Sequence, residues 1–336
     1  SSDLYTRLTT YLLLAVLPFS KASMIEPGQI ITTVPPKGFF SVVKDHDNGR
    51  ILLDLPKSSQ PFILQLSLAK GIGSNDIGLD RGRLGDTKLV YFNRLGKKVL
   101  LTQLNTEYRA NSDDQAEIKA VTEAFANSVI WGFQVESETE DSYRIDYTDY
   151  LLSDSYGIGS ILESAEQGKY SVDPSRSAAL LTQLGNFPDN TELEAIITLT
   201  GKTQSNELEQ VTPDSSAVTI QVHHSLIRLP DNRYQSRLFH PRSGYFPVSY
   251  IDYAAPLAEP LTKRFISTHR LSPGLPLIYY LDPGVPEPIR SALMQGATWW
   301  DEAFKAAGHE AGFKIKLLPA GADPMALKRG IEKAVA

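Results

Sequence analysis

Cysteine is absent from the 336-residue chain, which excludes a disulfide framework and any thiolate metal site. Positive charge is in short supply as well. Thirty-three Lys and Arg face 39 Asp and Glu, for a formal net charge of -6, so the chain carries no electrostatic footprint for nucleic acid. No nucleotide site is expected either: the glycines of residues 71–85 do not space as G-x-G-x-x-G and no Walker lysine accompanies them. A G-x-S-x-G serine elbow is missing, and no internal repeat of fixed period is found. The apolar run at residues 11–19 is too short to cross a bilayer, which takes about 20 residues, so no transmembrane span is expected.

What is present is enough apolar material for a sizeable core. With 42% hydrophobic residues, a chain of this length can hold two domains. Residues 38–255 are rich in short β-prone runs, among them 39–43 (FFSVV), 50–55 (RILLDL) and 62–68 (FILQLSL), with Asp47-Asn48-Gly49 as a hairpin turn between the first two. A second hairpin is predicted around Leu95-Gly96-Lys97. Ser112 and Gln115 form a capping-box pair for a helix with Ile118, Val121 and Phe125 on one face. Later runs at 192–200, 217–229, 234–239 and 246–253 alternate as antiparallel strands do, with residues 201–214 and 230–232 as turns. The expected architecture is mainly β (α+β), an antiparallel region of packed sheets. Prolines 256, 260, 273 and 276 then mark a connector over residues 256–275.

Residues 276–318 change character. Residues 277–281 form a short apolar run suited to a buried strand, and Ile289, Leu293, Ala297, Trp300 and Phe304 make one helical stripe that Gly308 can end. Phe313, Ile315 and Leu317 alternate with Lys314 and Lys316, a strand with one wet face. The expected order is strand, long helix, strand, with Trp299 and Trp300 as flank and core of the helix.

Several groups are candidates for chemistry. Residues 309–313 (HEAGF) open like a zincin motif but end in phenylalanine. A zincin needs two imidazoles four residues apart on one helical face, whereas Gly308 and Gly312 bracket this segment as a turn. His223 and His224 are adjacent in a strand, so their rings point to opposite faces and do not share a metal. The loop GIGSNDIGLDRGRLG crowds Asn75, Asp76, Asp80 and Arg81 among glycines. It reads either as a loop that reaches over a cleft or binds a cation through oxygen ligands, or as a self-satisfied Ω-loop. His240, in the stretch HPRSGYF, is a further candidate without an assigned partner.

The segments GSNDIGLDRG (73–82), WGF (131–133), HPRSGYF (240–246), DYAAPL (252–257) and residues 276–318 together resemble a family of large secreted bacterial zinc-dependent metalloprotease-like proteins. The resemblance implies a β-rich N-terminal region of unassigned role joined to a metzincin-like catalytic domain, of which 276–319 is an incomplete strand-helix-strand start. It implies a protein or peptide substrate for the full-length parent, and zinc in that parent with none expected for this chain, because the His-Glu-x-x-His signature does not occur here. Arg7, the apolar run 11–19 and Ser20-Lys21-Ala22 resemble a secretory signal peptide over residues 1–22, followed by a spacer at 23–37, and point to export. The tail, residues 320–336, is predicted helical with Asp323 as cap and Pro324 at its first position. From about Ala326 it resembles a segment of group I chaperonins, the expectation being a chimeric truncation. An alternative role for the β-rich region is a binding or scaffold module, recognising a protein or glycan or covering a protease cleft.

Overall fold

A computed structural model describes residues 38–73, 75–231, 234–269, 271 and 276–319. The signal-like segment, the spacer, the helical tail and residues 272–275 of the connector lie outside the described residues. Two compact units are present, one spanning Lys37–Thr268 and the other including His269–Ala336.

The first unit begins with the hairpin of β1 (Ser41–Asp45) and β2 (Arg50–Pro56). Its turn carries Gly49 at φ 67°, a left-handed backbone that glycine adopts without penalty. Asp45 steadies the turn by accepting from the Asn48 backbone N–H at 3.1 Å. There follow β3 (Phe62–Lys70), β4 (Leu84–Leu95), β5 (Lys98–Gln103), the two-residue β6 (Tyr108–Arg109) and helix α1 (Gln115–Ala124). Next come β7 (Ser128–Glu138), β8 (Ser142–Asp146) and the short helices α2 (Thr148–Leu151) and α3 (Ile158–Ser164). The chain continues through β9 (Tyr170–Val172), β10 (Ala178–Ala179), β11 (Gly185–Asn186) and β12 (Asn190–Gly201). Helix α4 (Asn206–Val211), β13 (Ala217–Arg228), β14 (Pro247–Asp252) and β15 (Thr262–Ile266) complete the unit.

Twelve of these strands make one sheet in the order β1-β2-β8-β7-β5-β4-β3-β13-β12-β10, with β9 and β11 also on β12. The packed layers expected from sequence are therefore two sides of a single curled antiparallel sheet. Register shifts in β3, β5, β7 and β13 are the bulges that let so long a sheet bend. The curl brings its ends together, since Phe39 N–H donates to the Phe187 carbonyl at 2.7 Å and Phe40 N–H to Thr191 Oγ1 at 3.1 Å. That approach requires a glycine beside it: a Cβ on Gly38 would stand 1.7 Å from Asn186 Oδ1.

The concave side is filled by period-2 residues, Leu64, Leu66 and Leu68 of β3 and Leu193, Ala195 and Ile197 of β12, all buried. Each fully buried leucine or isoleucine contributes roughly 1.5–3 kcal/mol, so burial of one face dictates the register of every strand. An edge-on aromatic row runs through the core, with ring centroids 5.2 Å apart for Phe40–Phe62 and 5.7 Å for Phe40–Phe92, while Phe133 stacks on Tyr147 at 5.7 Å. Helix α2 plugs the curl. Its preceding residue Tyr147 is fully buried, and Thr148 Oγ1 accepts from the Ile51 N–H at 2.9 Å.

Four sequence expectations need correction here. Helix α1 is capped by Asp114, whose side chain accepts from Ala116 N–H at 2.8 Å, rather than by Ser112. Residues 201–214 are not a bare turn but contain α4, capped by Ser205. The β-rich unit also runs past residue 255 to Thr268, because β15, inside the expected connector, pairs antiparallel with β14. Prolines 256 and 260 lie in the connection before that strand without entering it, so the ladder survives. The expected strand at 234–239 reduces to a single bridge, Leu238 to Phe265.

In the second unit, β16 (Leu277–Leu281) and β17 (Phe313–Leu317) pair in parallel, and α5 (Ile289–Ala306) connects them. Leu293 and Ala297 are its buried residues, and Phe304 stacks on Phe313 at 5.9 Å. Trp299 and Trp300 are 71% and 56% exposed, which corrects the expectation of a core tryptophan. A two-strand ladder only about 5 Å across is narrower than a helix of about 10 Å, so it covers the centre of the apolar stripe and leaves its flank open.

Candidate functional site

The antiparallel register of β12 and β13 sets Glu192 opposite Ser225, Glu194 opposite His223 and Leu193 opposite His224. Alternation then sends His223 to the polar face of the sheet and His224 to the apolar one. On the polar face, His223 Nδ1 lies 2.9 Å from Glu194 Oε1, and Nε2 contacts Glu192 Oε2. Ser225 Oγ donates to that same Glu192 oxygen at 2.6 Å and stands 3.1 Å from His223 Nε2. Gln221 Nε2 donates to Glu194 Oε2 at 2.5 Å and to Gln183 Oε1 at 2.6 Å. Gln183 belongs to the 3-10 turn Leu181–Gln183 between β10 and β11, so the interrupted edge strand reaches back to the cluster. Asn190 Nδ2 donates to Glu192 Oε1 at 2.5 Å.

This network is buried: Glu192 is 0% exposed, His223 1% and Ser225 8%. Each ring nitrogen faces a carboxylate oxygen, and each such contact needs one proton. Two protons shared among three groups leave a net charge of -1, whether the ring is an imidazolium between two carboxylates or a neutral ring beside one carboxylic acid. Charge at this depth is stable only when hydrogen-bonded on all sides, which is what Ser225, Gln221 and Asn190 supply.

The order Ser225, His223, Glu194 is that of nucleophile, base and orienting acid. Glu192 works against such chemistry. Its oxygen touches both the serine hydroxyl and the ring nitrogen, where a second negative charge opposes the oxyanion an acyl transfer would build. A zinc ion is not fitted either, because the two glutamates bind opposite ends of the ring and share no point. Among the described residues no three His, Asp or Glu side chains form a metal-holding group. Residues 309–312 form a turn, with Ala311 at φ 53° and Gly312 N–H donating to the His309 carbonyl at 3.0 Å, so His309 and Glu310 do not lie on a helix.

On the opposite face, His224 Nδ1 is 3.3 Å from Tyr147 Oη and Nε2 2.9 Å from Ser155 Oγ. Burial, with smaller contributions from His223 and Lys88, lowers its pKa to about 3. His224 is thus neutral inside the core.

The loop flagged by sequence closes on itself. Asn75 Nδ2 donates to the Ile72 carbonyl at 3.0 Å, and Asn75 Oδ1 accepts from Ile77 N–H at 3.1 Å. Ile77 and Leu79 are buried beneath it while Asp76 and Arg81 are exposed. Asp80 Oδ1 is buried without a hydrogen-bond partner. His240 is exposed in its own turn, its Nδ1 accepting from Arg242 N–H at 3.1 Å. The partners of His223 were missed by sequence reasoning. The available signal was polar residues at every second position in two strands, Asn190, Glu192 and Glu194 against Gln221, His223 and Ser225. Such alternation ordinarily marks a solvated face.

Fold and site together define a mainly β protein organised round a buried, charged polar network. The chain belongs to the family described as domain of unknown function (DUF5117), whose model matches residues 82–274, more than half of its length. No curated protein and no solved structure matches it. Among the described residues no helix is long and apolar enough to cross a membrane.

Proposed function

We propose that this chain is the non-catalytic leading portion of an exported zinc-dependent metallopeptidase, with peptide-bond hydrolysis belonging to the full-length parent. The observation carrying this reading is a coincidence of boundaries. The family domain stops at residue 274, the first compact unit ends at Thr268, and a parallel strand-helix-strand begins at Leu277. A new domain of α/β type therefore starts where the β-rich one stops, in the order that the resemblance to metzincin-like catalytic domains implies. The signal-like residues 1–22 support export. The described residues offer no zinc-binding set, so no catalytic step is assigned to them.

The test compares zinc content by mass spectrometry, and cleavage of a mixed peptide library, for this chain and for the product of the uninterrupted gene. The expected result is chelator-sensitive cleavage and one zinc per molecule in the full-length product, and neither in this chain. Stoichiometric zinc on this chain, lost on replacing named histidines, overturns the reading, as does a full-length product without zinc. A second role, a binding or scaffold module, is favoured by the apolar side chains that the β-rich unit leaves exposed.

A further inference from the structure

Eight of the seventeen exposed large hydrophobic side chains among the described residues fall between Tyr234 and Leu261. This stretch holds both HPRSGYF and DYAAPL, and it contributes the central strand of the three-stranded sheet β15-β14-β6. The Ser267 N–H to Phe246 carbonyl bond, 3.1 Å, extends the β14–β15 register by one step. Phe246, Val248 and Tyr250 therefore share a face with Phe265, and the bridge adds Leu238 to it. Phe246 is 87% exposed, Leu238 73% and Val248 60%. Tyr250 stacks on Phe265 at 5.8 Å and carries Arg109 over its ring at 4.3 Å.

Charge marks the other face of the same sheet, to which Arg264, the register partner of Ser249, and Arg237, the neighbour of Leu238, point. The chain is acidic overall, yet residues 234–250 contain two arginines, a histidine and no carboxylate. Lys263 is paired with Glu259 at 2.6 Å, while Arg237, Arg242 and Arg264 have no carboxylate partner among the described residues. Exposed aromatics beside free guanidinium groups are the composition of protein interfaces.

The backbone narrows the partner to a polypeptide. Asp252 N–H bonds to the Leu261 carbonyl at 2.8 Å, so the even-numbered residues of β14 bond to β15. Ile251 N–H instead turns to Glu107 in the strand opposite, at 2.7 Å. Strand β6 covers only Ile251 and Asp252. The N–H and C=O of Ser249, two residues earlier and in the same phase, therefore open onto an edge that no described strand covers, where an extended chain can add by main-chain hydrogen bonds.

We propose that the β14 edge and the adjoining Phe246–Val248 face bind an extended peptide segment whose acidic side chains alternate with apolar ones. The acids of the added strand point to the Arg264 side of the sheet, with Arg242 in the adjoining turn, its apolar residues point to the Phe246–Val248 side, and its backbone pairs with Ser249. This holds whether or not the peptidase reading does.

The probe is a fluorescent acetyl-Glu-Val-Glu-Phe-Glu-Val-Glu amide titrated into the full chain and followed by anisotropy. Saturable binding that weakens with added salt is expected. It should fall at least about tenfold in Phe246→Ser and in Arg242→Ser/Arg264→Ser, as central interface residues do, with the melting temperature unchanged. Ser249→Pro removes the edge donor and should weaken binding comparably. A probe N-methylated at alternate backbone nitrogens keeps its side chains but cannot pair with the edge, and it should not bind whatever the stability of the proline variant. The proposal is overturned if the probe shows no saturable binding, or if a second probe with lysine in place of every glutamate binds equally. It is also overturned if N-methylation has no effect, or if phosphatidylcholine–phosphatidylglycerol vesicles bind where the peptide does not.

Discussion

Replacing His223 by leucine takes the proton-bearing group from two buried carboxylates at once. Glu192 keeps its bonds from Ser225 and Asn190, and Glu194 keeps the one from Gln221, but neither retains the ring between them. Leaving a buried partner of an ion pair uncompensated costs about 3–5 kcal/mol, and leucine recovers about 1 kcal/mol by burying more apolar surface. The expected net loss is roughly 2–4 kcal/mol. In a domain of about 150–250 residues each kcal/mol moves the melting temperature by about 2–4 °C, so calorimetry at neutral pH should show a fall of roughly 4–16 °C. Adding Glu192→Gln and Glu194→Gln to His223→Leu removes the charge while preserving amide hydrogen bonds, and should restore at least half of the loss. A single variant that melts within about 2 °C of the parent, or a triple variant less stable than the single one, refutes the view that charge is held at this site.

The neighbouring histidine gives a pH signature of its own. Its folded pKa of about 3 lies below the unfolded value of about 6.5, so the unfolded chain binds the extra proton first. The contribution of His224 is fully present above pH 6.5 and is lost as pH falls toward 3, at about 1.4 kcal/mol per pH unit. Denaturant midpoints for the parent and His224→Gln at pH 7 and pH 5 should therefore converge by about 2 kcal/mol at the lower pH, and parallel lines would discard the assignment. At Gly71 a Cβ would meet the Leu79 carbonyl oxygen at 2.0 Å. Gly71→Ala should cost about 1–3 kcal/mol by overpacking and raise amide exchange at Ile72 and Gly82, whereas exposed Asp76→Ala should leave both unchanged.

Local patterns in the sequence were sufficient for hairpins and for single elements. Gly49 and Gly96 supply the left-handed residues that tight turns require, and the three- and four-residue spacing of Leu293, Ala297 and Phe304 specifies a helical face wherever that helix packs. Opposite directions for His223 and His224 follow from strand geometry alone. What alternation cannot convey is which face meets water. Glu192, Glu194 and Ser225 have the spacing of a solvated strand face, and Trp300 that of a core residue, yet the carboxylates are buried and the indole is open.

The sequence by itself determined the mainly β class, the strand-helix-strand that follows it, and the absence of cysteine chemistry. These depend on residue type and on period, which are properties of neighbours in the chain. Tertiary structure alone decided that two distant strands bring a histidine between two glutamates, that one curled sheet replaces two layers, and that the 234–261 segment lies exposed. Burial and partnership are settled by contacts between residues far apart in sequence, through bulges and register that no local pattern encodes.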